Sequence, residues 1–417
     1  MTRVILGDIA ISQTGPFGSQ LHEEDYVSEG TPIVTVEHLG DTNFTHQNLP
    51  FVSEADTKRL SKYILIEGDI VFSRVGSIDR NVYVDKNHEG WMFSGRCIRV
   101  RVDKNKVNPK YLSYYFKQNS FKKMMMNLAV GATMPSLNTK IMNSIELDLL
   151  PRENQDKIAN ILSAIDDKIQ INNKIDQELE VMAKTLYDYW FVQFDFPDQN
   201  GNPYRSSGGK MVYNPELKRE IPEGWGVEKL GELAQFKNGI NYEKTSSGSE
   251  KVKIINVRNI SSSTIFINQT DLDEIFLEND KSTNFIVNEG MILITRSGIP
   301  GATRLVSELE AKTVYSGFII ASEVNDLINK NLIFYYLKNV EEVLKNQSAG
   351  TIMKNISQSV LTDMTVSLPP QNVLLKFNSI IDNLLEQMKN VQRQNQELTQ
   401  LRDWLLPMLM NGQVKVG

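Results

Sequence analysis

The chain repeats itself once, about 220 residues apart, which limits it to two similar domains rather than one large core or an array of short repeats. Leu6-Gly7-Asp8-Ile9-Ala10 returns as Leu230-Gly231-Glu232-Leu233-Ala234, and Gly68-Asp69-Ile70-Val71-Phe72-Ser73-Arg74 returns as Gly290-Met291-Ile292-Leu293-Ile294-Thr295-Arg296. Ser94-Gly95 returns as Ser316-Gly317, Tyr114-Tyr115 as Tyr335-Tyr336, and Gly131-Ala132-Thr133-Met134 as Gly350-Thr351-Ile352-Met353. The offset drifts only from 224 between Leu6 and Leu230 to 219 between Gly131 and Gly350, so few residues separate the copies in length. A chain with two like domains is suited to touching two like things, or two ends of one thing. Its 417 residues leave room for two cores and their connectors.

Composition narrows the class. With 41% hydrophobic and 23% charged residues the chain reads as an ordinary globular protein. No run approaches 18 consecutive apolar residues, so no membrane span is expected. The opening Met1-Thr2-Arg3-Val4-Ile5-Leu6-Gly7-Asp8 lacks an apolar core and a cleavage site, so no signal peptide is expected either. A lone cysteine, Cys97, excludes an internal disulfide and a cysteine zinc cluster and fits a reducing cytoplasm. It reads as a small strand residue. The net charge of −6 does not favour nucleic acid, yet residues 53–123 hold 15 Lys/Arg against 8 Asp/Glu. Local excess governs phosphate contact, because salt screens charges beyond about 8–10 Å. A solvated basic face without a partner is the plainer explanation of the same count.

Each copy runs in one order: mixed domain, proline, long helix. Short β-rich runs (Pro32–Val36, Asp69–Ser73 and Cys97–Val102, then Lys253–Val257 and Met291–Thr295) alternate with helical stretches at Pro109–Met126 and Leu332–Leu344, which indicates a mixed α/β (α+β) fold. After Pro151, apolar residues fall at Ile158, Leu162, Ile165, Ile169, Leu179 and Leu186; after Pro369-Pro370 they fall at Phe377, Ile381, Leu384, Met388, Leu398 and Leu405, every pair offset by 219. Steps of three and four define a coiled-coil seam. Asn172, Asp176 and Asn395 interrupt the seams, either as buried register-setting residues or at an exposed edge. Helices of roughly 30–35 residues would be about 45–50 Å long. The expected architecture is two mixed α/β domains separated by two long antiparallel coiled-coil helices, pseudo-twofold and near-circular in its duplication. The boundaries are 1–150 for the first domain, 151–192 for its helix, 193–221 for a turn-rich linker, 222–368 for the second domain, 369–412 for the second helix and 413–417 for a tail.

Catalytic motifs fail on context. Asn202-Pro203-Tyr204 lacks the second proline of the amino-methyltransferase motif and an upstream Gly-rich strand–turn–helix. Gly208-Gly209-Lys210 is followed by Met211 rather than Ser or Thr. Glu310-Ala311-Lys312 has nuclease-like spacing but no counterpart in the first copy, and no histidine pair has metal-ligand spacing. No catalytic, cofactor-binding or metal-binding residue is therefore assigned. What recurs is loop chemistry suited to DNA: glycines that let backbone approach phosphate, Arg for guanine edges, Asn and Gln for adenine, Ser and Thr hydroxyls for phosphate. In the first copy the candidate DNA-binding residues are Phe17, Ser19 and Gln20, then Arg74, Ser77, Arg80 and Arg96, then Thr133, Ser136 and Asn138. In the second they are Asn241, Tyr242, Arg258 and Asn259, then Arg296, Ser297 and Arg304, then Thr351, Lys354 and Asn355. Taken singly, each is the kind of residue any Gly-rich turn carries.

Three segments together resemble the specificity subunit of Type I restriction–modification enzymes: Gly-Asp-Ile-Val-Phe-Ser-Arg-Val-Gly at 68–76, Leu-Pro-Pro-Gln at 368–371, and Leu-Arg-Asp-Trp-Leu-Leu-Pro-Met-Leu-Met-Asn-Gly at 401–412. The centre, from Tyr189-Trp190-Phe191-Val192 to Ile221-Pro222-Glu223-Gly224-Trp225, is similar to that family's central shared region. The first copy departs, with Leu150-Pro151-Arg152 in place of Leu368-Pro369-Pro370-Gln371. The resemblance spans essentially the whole chain. It implies a non-catalytic subunit with two target recognition domains, each reading half of a split double-stranded DNA site, and helices that set the unread spacer. It also implies two methyltransferase subunits that bring S-adenosylmethionine, and two restriction subunits with ATP and magnesium, with no cofactor on this chain. Tyr189, Trp190, Phe191, Trp404, Leu405 and Met408 crowd the helix ends and are the candidate partner-binding residues. They could equally cap the domains' own cores. The alternatives are a self-contained DNA-modifying enzyme and a coiled-coil adaptor that binds no nucleic acid.

Overall fold

The structure, a computed structural model, describes residues 1–128, 136–242, 248–350 and 355–414. It comprises two compact units, Met1–Ile171 with Gln394–Gly417, and Asn172–Arg393.

In the first unit the strand Asp69–Ser73 is buried at all five residues and sits inside an antiparallel sheet ordered Ala10–Thr14, Cys97–Val102, Asp69–Ser73, Asn81–Tyr83. Alternation of side chains along a strand explains the continuous apolar run. Ile70 and Phe72 pack on one face with Leu112, Phe116 and Phe121, while Val71 packs on the other with Ile33, Val34 and Phe93. A second sheet supplies that other face and includes a parallel pairing of Thr31–Val34 with Met92–Phe93. A two-stranded ribbon, Thr2–Ile5 with Glu146–Leu149, brings the two ends of the domain together.

The second unit repeats the central sheet in order and register, although its smaller sheet has three strands where the first unit's has four. Ile70 faces Val100 and Tyr83; Ile292 faces Ser322 and Leu305, every member displaced by 222. Ala10 faces Val102 as Ala234 faces Val324, and the parallel pair Ile33–Met92 is matched by Ile254–Val314. The closing ribbon recurs as Gly226–Lys229 with Thr365–Leu368. Duplication in sequence is thus duplication of strand order and hydrogen-bond register. A slip of one residue would turn every core side chain outward, so the shared register follows from the shared apolar pattern.

The helical stretch at Pro109–Met126 is corrected to two helices, Pro109–Lys117 and Asn119–Leu128, broken at Gln118 in an extended conformation. Asn119 and Ser120 are weak helix formers at the break, whereas the second unit has Val340-Glu341 there and keeps one helix, Lys330–Gly350. The long helices are Arg152–Tyr187 and Gln371–Met410, of 36 and 40 residues. Within the second unit Tyr187 lies against Phe377 and Asp176 bonds Gln392, so the two helices run antiparallel there. Within the first, Leu150 lies beside Gly412 and Asp166 bonds Arg402, the same sense. Asn172 is 1% exposed, which decides for a buried seam position over an edge; burial also raises the Asp176 carboxyl, partly countered by its bond to Gln392.

The connector is packed rather than loose. Phe194 is buried at a φ of +66° against Trp225, Phe196 stacks on Tyr204, and Met211–Asn214 pairs with Arg219–Pro222 in a hairpin. Its turn-forming composition describes the backbone; three aromatic side chains decide the packing.

Candidate nucleic-acid interface

In each unit four loops meet at one end of the central sheet, and the same backbone bonds join them. The loop after Ala10–Thr14 begins with Gly15, whose amide donates to Cys97 O at 3.2 Å; its counterpart Gly239 donates to Ile319 O at 3.0 Å. A Cβ on Gly15 would lie 2.2 Å from Ser94 O, and one on Gly239 would lie 2.3 Å from Ser316 O, so only glycine fits the approach. The loop after the central strand carries Arg74 and Arg296. Arg74 N donates to Arg96 O and Arg296 N to Phe318 O, both at 2.8 Å, while Leu137 N donates to Arg74 O and Ile356 N to Arg296 O, both at 2.9 Å. Gly76 and Gly298 turn these loops at φ of +72° and +79°. The strand turns Ser94–Arg96 and Ser316–Phe318 and the segments before the helices Thr139–Asn143 and Gln358–Thr362 complete each cluster.

Arg74 ties the first cluster together. Its Nε donates to Leu137 O at 3.1 Å, Nη1 to Gly95 O at 3.4 Å, and its guanidinium sits 6.0 Å from the Phe17 ring centroid. Ser19, Ser77, Arg80, Arg96 and Phe17 are exposed around it. Ser136 is half-buried, and Asn138 is exposed but uses its Oδ1 to cap the following helix through Ile141 N. Gln20 accepts from the Tyr63 hydroxyl at 2.7 Å and is partly committed within the domain. Lys122 and Lys123 line a shallow groove with Asp79 and Met126 and add positive charge. Not all of the basic excess in this stretch reaches solvent. Arg101 forks onto buried Asp69 at 2.7 and 2.8 Å, and buried Arg99 donates to Lys62 O and Ile64 O. Desolvation, with Arg101 nearby, lowers the Arg99 pKa.

In the second cluster Asn241 and Asn355 are exposed, Arg296 and Ser297 half-buried, and the Tyr242 hydroxyl donates to Asn256 Oδ1 at 3.2 Å. Two candidates are withdrawn. Arg304 is 7% exposed and donates to Ser263 O and Glu341, inside the unit. Asn259 is 2% exposed, its Oδ1 accepting from Asn256 N to cap a short helix. Arg258 is exposed but bridges Asp271 and Asp273 at 2.8 and 2.7 Å, so its charge is already matched. Thr133, Thr351 and Lys354 lie outside the described residues.

Two partner-binding candidates are also corrected. Trp190 and Phe191 are 5% and 3% exposed, packed with Phe377 and Trp225 in the second unit's core, because the helix end widens into a π turn at Asp188–Val192 that rolls them inward. Tyr189 and Trp404 remain exposed, with Leu405 and Met408 half-buried. Sequence reasoning missed exposed Ile161 and Ile380, equivalent positions 219 apart, and the exposed Phe318 and Ile299 of the second cluster. The repeat offset was the available signal for the isoleucines.

The tempting catalytic matches resolve into structure. Lys312 pairs with Glu250 and Glu310 with Lys253, and Tyr204 of the Asn-Pro-Tyr match stacks on Phe196. Cys97 is fully buried, and desolvation raises its thiol to about 12, which leaves it protonated and inert. Among the described residues no group of three or more His, Cys, Asp or Glu could hold a metal ion, and no helix is long and apolar enough to cross a membrane.

Known proteins carry the same plan. The chain is 27% identical over 399 residues to the Type I restriction enzyme MjaIX specificity subunit of Methanocaldococcus jannaschii, covering 94% of this chain and 89% of that protein. It is 24% identical to the Type I restriction enzyme HindI specificity subunit of Haemophilus influenzae, covering 92% and 95%. Its fold is similar to the crystal structure of a Type-I restriction-modification system S subunit from M. genitalium, with a TM-score of 0.56, 16% identity, and coverage of 100% of this chain and 96% of that one. The Type I restriction modification DNA specificity domain matches twice, over residues 2–181 and 222–400, one match for each copy of the loop cluster, and the chain therefore belongs to that family.

Proposed function

We propose that this chain is the non-catalytic specificity subunit of a type I restriction–modification enzyme, reading a bipartite double-stranded DNA site with one loop cluster per half. One observation supports this above the others: the two clusters share the backbone bonds made by Gly15 and Gly239, by Arg74 and Arg296, and by Leu137 and Ile356, while their exposed side chains differ. A frame kept constant beneath changed side chains is what reading two unlike half-sites requires. A self-contained enzyme would need a catalytic set, and an adaptor would not need matched Arg-bearing loops.

Catalysis then belongs to partners. Two methyltransferase subunits would bring S-adenosylmethionine and act on adenine, flipping the base from the duplex. Two restriction subunits would bring ATP and magnesium. Ile161, Leu401 and Trp404 in the first unit and Tyr189, Leu375 and Ile380 in the second leave apolar surface on the long helices and are the docking residues of this reading. The complex would work in the cytoplasm.

The test is co-expression with methyltransferase subunits in a methylation-free host, followed by sequencing of methylated adenines. The expected result is a split motif with a spacer of fixed length. Arg74→Ala should degrade one half and Arg296→Ala the other, each weakening recognition by about 1–3 kcal/mol. A continuous motif, or methylation by the chain alone, refutes the proposal.

A further inference from the structure

We infer that Phe17 and Phe318 are specificity-determining residues, each presenting an exposed ring to a thymine methyl edge in its own half-site; this deepens the function proposed above and rests on it. Both rings stand in water, 60% and 62% exposed, among mainly polar loop residues, with exposed Ile299 also in the second cluster. An isolated exposed apolar residue needs no explanation. These two occupy neighbouring positions of one duplicated frame, and that is what requires one.

The frame fixes two adjacent side-chain positions. In the first unit they are Phe17 and Arg96: the Cβ of Phe17 lies 2.7 Å from where a Cβ on Gly95 would be, and Arg96 follows directly. In the second they are Asn241 and Phe318: Asn241 Oδ1 lies 2.1 Å from where a Cβ on Gly317 would be, and Phe318 follows directly. Position 17 corresponds to 241 through Gly15 and Gly239, and position 96 to 318 through the matched bonds from Arg74 N and Arg296 N. The phenylalanine has therefore changed places. Across these two positions each cluster holds one ring and one polar side chain, Arg suited to guanine in the first and Asn suited to adenine in the second. A packing role would keep the ring in place and buried. Exchange across an unchanged frame, with both rings left in solvent, matches two half-sites of different sequence.

The mounts suit readout. The backbone bond at Arg96 O or Phe318 O holds each turn before DNA arrives, and the Arg74 guanidinium borders the Phe17 ring. Little ordering is left for binding, and an apolar ring gains most against the one apolar feature of a major-groove edge, the thymine methyl.

The experiment uses the full chain with its methyltransferase subunits, first to map the methylated motif and then to bind duplexes carrying it. Phe17→Ser and Phe318→Ser should each relax one half of the motif and leave the other intact. Affinity for the mapped duplex should fall about tenfold with an unchanged salt slope, because no phosphate contact is lost. Uracil in place of thymine in the affected half should weaken the wild-type complex similarly and the matching variant no further. Both rings are exposed, so melting temperatures should not move. Wild-type motifs and affinities in both variants, or indifference of the wild type to uracil, overturn the inference. Arg74→Ala and Arg296→Ala separate the two levels: loss in these alone sinks only the role of the rings, whereas no loss in any variant sinks the DNA-facing assignment as well.

Discussion

Arg402→Met should cost the first unit about 2–4 kcal/mol of stability, and the second unit shows why. Asp166, on the first long helix, is 11% exposed; it accepts from the Tyr114 hydroxyl at 2.6 Å and from Arg402 Nη1 at 3.0 Å, on the second long helix. Burial first, and Asp166 beside it, raise the Tyr114 hydroxyl, so it stays a donor. Removing one partner of a buried ion pair costs about 3–5 kcal/mol. Arg402 is 18% exposed, and the Tyr114 bond survives, so the cost falls around and below the lower end of that range, at about 2–4 kcal/mol. At about 2–4 °C per kcal/mol for a unit of this size, calorimetry of the full chain should show one transition falling by roughly 4–16 °C. The equivalent positions of the second unit are Leu385 and Ala183, both buried, with Tyr335 in place of Tyr114. That unit is apolar where the first is ionic. Asp166→Leu combined with Arg402→Ala should therefore recover most of the loss, since buried ion pairs tolerate apolar replacement. Arg402→Met within about 0.5 kcal/mol of wild type, or effects of Tyr114→Phe and Arg402→Met that simply add, would refute the network.

Other outcomes follow from single environments. Burial pushes the Lys117 ammonium down to about 8 from 10.5, against the pull of Asp166. Unfolded lysine still binds its proton between those values, so stability should rise as pH climbs from about 8 to 10.5, stay flat below that window, and lose the rise in Lys117→Met, as read by denaturation at each pH. Cys97, fully buried, should resist alkylation at pH 8 in the native chain and react once denatured; native labelling at the denatured rate would contradict the packing. Gly15→Ala and Gly239→Ala force a Cβ to within 2.2 and 2.3 Å of a facing carbonyl oxygen, and should each cost about 1–3 kcal/mol and degrade one half-site alone in methylation mapping.

Much of the fold is legible because repetition and periodicity are local. The 222-residue offset between Ile70 and Ile292 carries directly into strand pairing, since register is set by the apolar pattern. The seam residues Ile158, Leu162, Phe377 and Ile381 are buried as their spacing implies. The site was less legible. Arg74 and Arg304 look alike in a Gly-rich stretch, yet one borders the loop cluster and the other is closed inside by Glu341, a partner 37 residues away. Nothing near Trp190 in the sequence indicates the wide turn that buries it against Phe377.

Residue order alone established two like domains, their mixed strands and helices, the duplicated helical seams, and the family, because each is a pattern of neighbours in the chain. Tertiary packing settled which polar groups face solvent. A guanidinium or an indole is exposed or buried according to partners far away in sequence, and the energy of pairing or desolvating it depends on distances of a few ångströms. The exchange of Phe17 and Phe318 between facing loops belongs to that second kind: it exists only where Gly95 and Gly317 bring the loops together.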